Sequence, residues 1–254
     1  MGPKINVEWK VHEHGPIREL EENLWLVSGE IPGLPMPLRR TMTLLRLADG
    51  RVAIHGGIPL DDGSMRRIEA WGEPALLVVP NGWHRIDAPA YKKRYPQLRV
   101  LCPAGASQRV SEVVPVDGAY DAFPKDPLIA VETLEGTRLR EGVFVVRSAA
   151  RASLIFNDLF FNQAHLPGFW GFVYRAIGST GSPRVTWLAR TAMVEDRGAL
   201  AAHLQRLSVV QGLARLVPGH GEVVEQEAPA VLLAVSARLL GLKKPLVSPA
   251  PTWR

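Results

Sequence analysis

Three β-prone apolar runs in this chain each break off onto a segment with a polar side chain able to do chemistry, and that recurrence restricts the fold more than any other pattern. Pro74-Ala75-Leu76-Leu77-Val78-Val79 gives way to Pro80-Asn81-Gly82-Trp83-His84-Arg85-Ile86-Asp87. Ser153-Leu154-Ile155-Phe156 closes on Asn157-Asp158, and Leu216-Val217-Pro218 leads into Gly219-His220-Gly221. The first run is almost continuously apolar, as expected of a strand covered on both faces. A histidine between two glycines at a strand tip is well placed to be a metal ligand.

The rest of the chain supplies the elements around those runs. Glu22 to Ser28 and Thr41 to Leu47 read as strands, separated by a loop holding Pro32, Gly33, Pro35 and Pro37, which proline keeps out of any ladder. Ala48-Asp49-Gly50 signals a hairpin into Arg51-Val52-Ala53-Ile54-His55. Met65, Ile68 and Trp71 recur at helical spacing over Asp62 to Trp71, with Asp61, Asp62 and Ser64 as candidate caps. A short helix over Ala88 to Tyr95 and a strand over Leu98 to Leu101 complete a β-α-β unit. From Val113 to Val146 short strands and turns are expected, and 142–146 can pair as a hairpin with the run that closes on Asp158. Val194 to Leu213 and Ala228 to Leu242 read as helices flanking a strand over Ala214 to Val217. The order of strands, helix, strand and helix, twice over, predicts a four-layer αββα sandwich of the α/β (α+β) class. It is expected as one domain over residues 1–244, with a proline-rich tail at 245–254.

Composition sets bounds. The 254 residues, 46% hydrophobic and 22% charged, are enough to bury a full core. No run approaches the ~18 apolar residues of a spanning helix, and the N-terminus lacks the apolar centre of a signal peptide, so no membrane association and a cytoplasmic location are expected. The single cysteine, Cys102, excludes an intramolecular disulfide or a cysteine-based zinc cluster and reads as a small buried hydrophobe. The formal charge of +5 permits an acidic partner. Its basic clusters, Arg39-Arg40, Arg66-Arg67, Lys92-Lys93-Arg94 and Lys243-Lys244, lack the interleaved aromatics of a single-strand binder, so a solvated face is the preferred reading of each. There is no Gly-x-Ser-x-Gly nucleophile, and Gly178-Ser179-Thr180-Gly181-Ser182 lacks the lysine of a phosphate loop.

In order and spacing these segments resemble the metallo-β-lactamase superfamily over nearly the whole chain. The match is narrower with an uncharacterised bacterial branch carrying Met-Thr-x-x-Arg-Leu-x-Asp-Gly, a histidine ending the next strand, and Pro-Asn-x-x-His. Here these are Met42 to Gly50, His55, and Pro80 to His84. The resemblance implies an ancestral site of two metal ions that activate water. Asp158 then corresponds to the bridging aspartate and His220 to the final histidine. The His-x-His-x-Asp-His motif corresponds to the Pro80 to Asp87 stretch in one of two registers. In one, Asn81 and Trp83 occupy the first two histidine positions and His84 falls off pattern. In the other, Asn81 and His84 replace the second and last histidines, with Trp83 in place of the aspartate. Neither register leaves a dinuclear site, because an indole or an amide is a poor zinc ligand.

What remains is a remnant pocket of Asn81, Trp83, His84, Asp87, Asp158 and His220, with His55 behind it as a supporting residue. His84, Asp158 and His220 are expected to converge at strand C-terminal edges. They offer two nitrogens and a carboxylate, the ligand count of a mononuclear zinc site; a metal-free pocket linked by hydrogen bonds is the preferred alternative. The cofactor expectation is therefore none, or one substoichiometric zinc or iron ion. Asp87 is expected either to accept from His84 or to cap the following helix, and His165 to lie on a surface loop. His12, His14 and His203 are expected to face solvent. Six aromatics crowd Phe160 to Tyr174, a segment that Pro167 and Gly168 should break into a loop, which predicts a lid or a homodimer contact. The function expected is binding or regulation by a metallo-β-lactamase-like protein without classical dinuclear hydrolase activity, with a small molecule as its ligand. The alternatives are a mononuclear metal-dependent hydrolase of an ester, thioester or phosphodiester and, less favoured, an RNA-binding protein.

Overall fold

The computed structural model describes residues 5–33, 38–181 and 183–242. The chain divides into two compact units, Met1–Glu132 and Thr133–Arg254.

In the first unit β1 (Arg18–Glu21), β2 (Leu24–Glu30), β3 (Arg39–Arg46) and β4 (Arg51–His55) run antiparallel in sequence order. α1 (Asp62–Trp71) then crosses over to β5 (Glu73–Val78), and α2 (Ala88–Arg94) to β6 (Arg99–Leu101), so that β4, β5 and β6 are parallel. The six strands lie in the order β1-β2-β3-β4-β5-β6. Helix α1 occupies the predicted residues because its signals agree. Asp61 caps it by accepting from the Ser64 N–H, and Met65 and Ile68 are buried against the sheet. Tyr91 of α2 is buried in the same core beside Val27, Leu44, Ile54 and Val100, and its hydroxyl donates to the Ile58 carbonyl at 2.7 Å. A further short helix, α3 (Ser107–Ser111), lies in a region that carries no clear helical period.

The second unit is built on a four-stranded sheet in the order β11-β9-β8-β7. Its edge strand is β7 (Ile129–Thr133), on which one unit ends and the other begins. β8 (Gly142–Ser148) and β9 (Arg151–Ile155) form the expected hairpin, and β11 (Leu213–Val217) pairs parallel to β9. β10 (Phe161–Asn162) and β12 (His220–Gly221) form a separate parallel pair. Among the described residues, four helices complete the unit: α4 (Gly168–Ala176), α5 (Trp187–Ala192), α6 (Arg197–Ser208) and α7 (Ala228–Leu239). Leu200 and Leu204 of α6 and Leu232 and Val235 of α7 share one core with Val145, Leu154 and Leu216 of the sheet.

Several expectations need correction. The segment after Pro167 is a helix rather than a loop: proline ends the preceding stretch and Gly168 opens α4. Among the histidines expected to face solvent, His203 is buried, and its Nδ1 accepts from the Glu135 N–H at 3.2 Å. His12 and His14 are half-buried, the latter with its Nε2 3.6 Å from Asp61. The expected tail, 245–254, lies outside the described residues. Cys102 is buried, as expected. No helix among the described residues is long and apolar enough to cross a membrane.

Candidate functional site

In the second unit, two of the expected residues are brought together by backbone geometry. β9 ends at Ile155, and the chain runs on through Phe156 and Asn157 to Asp158; β11 ends at Val217 and the chain turns through Pro218 and Gly219 to His220. The two strands are parallel neighbours, so both exits leave from the same sheet edge. His220 Nε2 lies 2.9 Å from Asp158 Oδ1, and both side chains are buried. The Phe161 ring stacks on the imidazole with centroids 4.6 Å apart.

The glycines on either side of His220 have a specific cause. A Cβ on Gly219 would sit 2.7 Å from the backbone carbon of Asn157, and one on Gly221 would sit 2.1 Å from the Asn162 carbonyl oxygen; Gly221 also has φ +92°. The segment is therefore pressed between two backbone stretches that admit no side chain, and left-handed φ adds a conformational reason at Gly221. Hydrogen bonds stitch the same contacts: Gly219 N–H donates to Asn157 O, and Glu222 N–H to Asn162 O.

Glu141 holds the other side of the pair. It is fully buried, and its Oε1 accepts from the Asn157 N–H at 3.0 Å and the Leu159 N–H at 2.8 Å, the two amides flanking Asp158. Sequence reasoning missed this positioning residue. Its only signal is a carboxylate directly before the apolar strand Gly142-Val143-Phe144-Val145-Val146, and a charge at a strand start is ordinarily solvated.

The first unit carries the other expected residues. His55 ends β4, is buried, and has its pKa pushed down to about 3, first by burial and then by the charge of His84. It is a neutral imidazole at physiological pH. Asn81 does not point an idle amide into a ligand position: its Oδ1 accepts from the Trp83 N–H at 2.9 Å and the His84 N–H at 3.1 Å. This closes a side-chain turn of the kind asparagine makes at loop starts. Trp83 is 39% exposed, while His84 is half-buried.

Asp87 departs from both of its expected roles. It makes no cap bond to α2. Its two oxygens instead accept from Arg40 Nη2 at 2.5 Å and Asn6 Nδ2 at 2.7 Å, and the Arg40–Asp87 pair is almost completely buried. His165 is exposed, with its Nδ1 2.9 Å from Thr180 Oγ1.

The donor chemistry fits a metal in part. The imidazole and the carboxylate already paired in the second unit are nitrogen and oxygen donors of the kind zinc takes. Asn81 and Trp83 add none. No protein-family model matches the chain, and no curated protein does. Solved structures do match in fold. The DIM-1 metallo-β-lactamase, in a crystal exposed to ceftazidime, superimposes with a TM-score of 0.60 at 14% identity, covering 90% of this chain and 99% of that one. A metallo-β-lactamase from Pontibacter korlensis gives 0.57 at 12% identity, covering 87% and 98%. One from Hirschia baltica gives 0.56 at 8% identity, covering 89% and 98%. The chain therefore has the metallo-β-lactamase superfamily fold.

Proposed function

We propose that this chain is a metallo-β-lactamase-fold protein with a degraded site, which acts by binding a small molecule or by regulation rather than as a dinuclear hydrolase. His84, Asp158 and His220 are the residues that would hold a metal, at most one zinc or iron ion per chain. The observation that carries this reading is the engagement of Asn81: its carbonyl oxygen is committed to the turn that begins the degraded motif. The exposed Trp83 offers no replacement donor. The narrower resemblance, through Met42 to Gly50, His55 and Pro80 to His84, is part of the same proposal, as is a cytoplasmic location.

Elemental analysis of protein purified without added metal tests it. The expected result is less than one zinc or iron per chain, lost in H220A and D158A. Two tightly held ions per chain would overturn the reading.

The second reading is a mononuclear metal-dependent hydrolase of an ester, thioester or phosphodiester. It is favoured by the buried, hydrogen-bonded Asp158–His220 pair. A metal in such a set supplies Lewis acidity toward a carbonyl or phosphoryl oxygen. Turnover of p-nitrophenyl acetate or bis(p-nitrophenyl) phosphate that needs added zinc and vanishes in H220A would select this reading over the first.

A further inference from the structure

The positive charge of this chain lies in its second unit, where 14 Lys and Arg stand against 8 Asp and Glu, while the first unit has 16 against 17. Within the second unit the acids are confined as well. None occurs between Asp158 and Glu195, and none from Ala228 to the end of the chain. Those two acid-free stretches contain α4, α5 and α7, and they carry most of the large apolar side chains left exposed among the described residues.

The three helices meet at one place. Gly178 just past α4, Trp187 of α5 and Leu239 of α7 line a single cleft, and Arg238 of α7 donates through Nη1 to the Pro183 carbonyl, between α4 and α5, at 2.8 Å. Each helix exposes apolar side chains. On α4, Phe169 and Phe172 are three residues apart on the outer face, while Gly171 and Tyr174 are buried. On α5, Trp187 and Leu188 are exposed, and so are Leu240 and Leu242 past the end of α7. Arg175 lies three residues beyond Phe172 on the same face of α4; it is exposed and makes no ion pair among the described residues. An exposed apolar patch gathered from three elements marks an interaction surface.

We propose that this face docks on an anionic phospholipid surface, with Phe169, Phe172, Trp187 and Leu188 seated among the headgroups and Arg175 beside them at the level of the lipid phosphates. Phe, Trp and Leu are the side chains that anchor a peripheral face at the bilayer interface. The charge of the unit has the sign that anionic headgroups attract. That match does not depend on any one guanidinium being unpaired, because the excess of basic over acidic residues sets the sign of the field. A second copy is the rival occupant, and it would meet this face with the same face, basic against basic with no carboxylate from either acid-free stretch. The expectation of no membrane association rests on the lack of a spanning helix, which bears on crossing a bilayer and not on lying at its surface. The nine residues of α4 suit only the second.

The test is sedimentation of the full chain with two kinds of large vesicle at about 0.1 M salt, one of phosphatidylcholine alone and one with about 30% phosphatidylglycerol, with a chelator present so that divalent ions form no bridge. Binding to the mixed vesicles is expected to be at least about tenfold tighter than to the neutral ones, and to weaken at about 0.5 M salt. F169D/F172D should weaken it by about tenfold or more, since both rings are exposed and can be replaced without opening the core. R175E changes the charge and touches no ring, so it keeps the test decisive if the double variant melts early; it should cost about fivefold or more. Quenching of tryptophan fluorescence by brominated lipid should shrink in W187F. No sedimentation with the mixed vesicles, equal binding to both kinds, or undiminished binding in F169D/F172D would each overturn the proposal. So would a vesicle-free dimer that F169D/F172D splits into monomers, because a second copy would then cover the face.

Discussion

At the scale of single residues, the Arg40–Asp87 ion pair, at the end of the Pro80 to Asp87 stretch, is almost completely buried. Asp87 is 1% exposed, and its removal would strand a buried guanidinium. D87A should therefore lose about 3–5 kcal/mol in urea unfolding, whereas R40M/D87L, which removes both charges, should recover most of that loss. An additive double variant would show that the two charges do not depend on each other. Cys102 makes a second prediction. Burial pushes its thiol up to about 11, so between pH 9 and 11 the folded state holds a proton that the unfolded state has released, and stability falls as pH rises through that window. The drop in unfolding free energy from pH 8 to pH 10 should be smaller in C102A by about 1 kcal/mol, and an equal drop in both proteins would refute it. Residues of this kind explain why the site was only partly legible. Asp158 and His220 stand out because each follows an apolar run. Asn81 and Asp87 look like ligand remnants in sequence, yet Asn81 is spent on a local turn, and the partners of Asp87, the distant Arg40 and Asn6, are set by tertiary structure. Glu141 was invisible for the same reason as Asp87: the two amides that donate to it lie 16 and 18 residues away.

At the scale of elements, α4 is where local reading and structure diverge most. Proline and glycine at 167 and 168 signal a break, and the break is real, but it is a helix start. The helix divides the six crowded aromatics. Phe160 and Tyr174 are buried, Phe161 and Trp170 half-buried, and Phe169 and Phe172 are each 71% exposed. The two exposed rings are three residues apart, hence on one face of the helix, and they keep open the proposal of a homodimer contact or lid through Phe160 to Tyr174. For a dimer contact, F169D/F172D should lower the mass seen by light scattering to the 27.9 kDa of one chain; wild-type protein already at that mass would rule the contact out. Helix α5 was missed because six residues are too few to display a period, although Thr186 caps it by accepting from the Ala189 N–H. α1, β5 and the β8–β9 hairpin were legible because capping, spacing and turn chemistry pointed the same way.

At the scale of the whole molecule, the superfamily fold could be read from the order of apolar runs and the residues that end them, and the structural likeness at 8–14% identity shows how little else sequence retains of it. The positive charge is less available than its total suggests. Members of three basic clusters are ion-paired: Arg39 with Glu13, Arg67 with Glu19, Lys93 with Glu8 and Arg94 with Asp62. One feature of the second unit reaches further. Phe161, whose ring lies on His220, is bound through both backbone groups to Arg184, its N–H donating to Arg184 O at 3.0 Å and its carbonyl accepting from Arg184 N–H at 2.9 Å. Any movement of the Arg184 peptide is therefore handed on, through two backbone hydrogen bonds, to the ring on which the His220 imidazole rests.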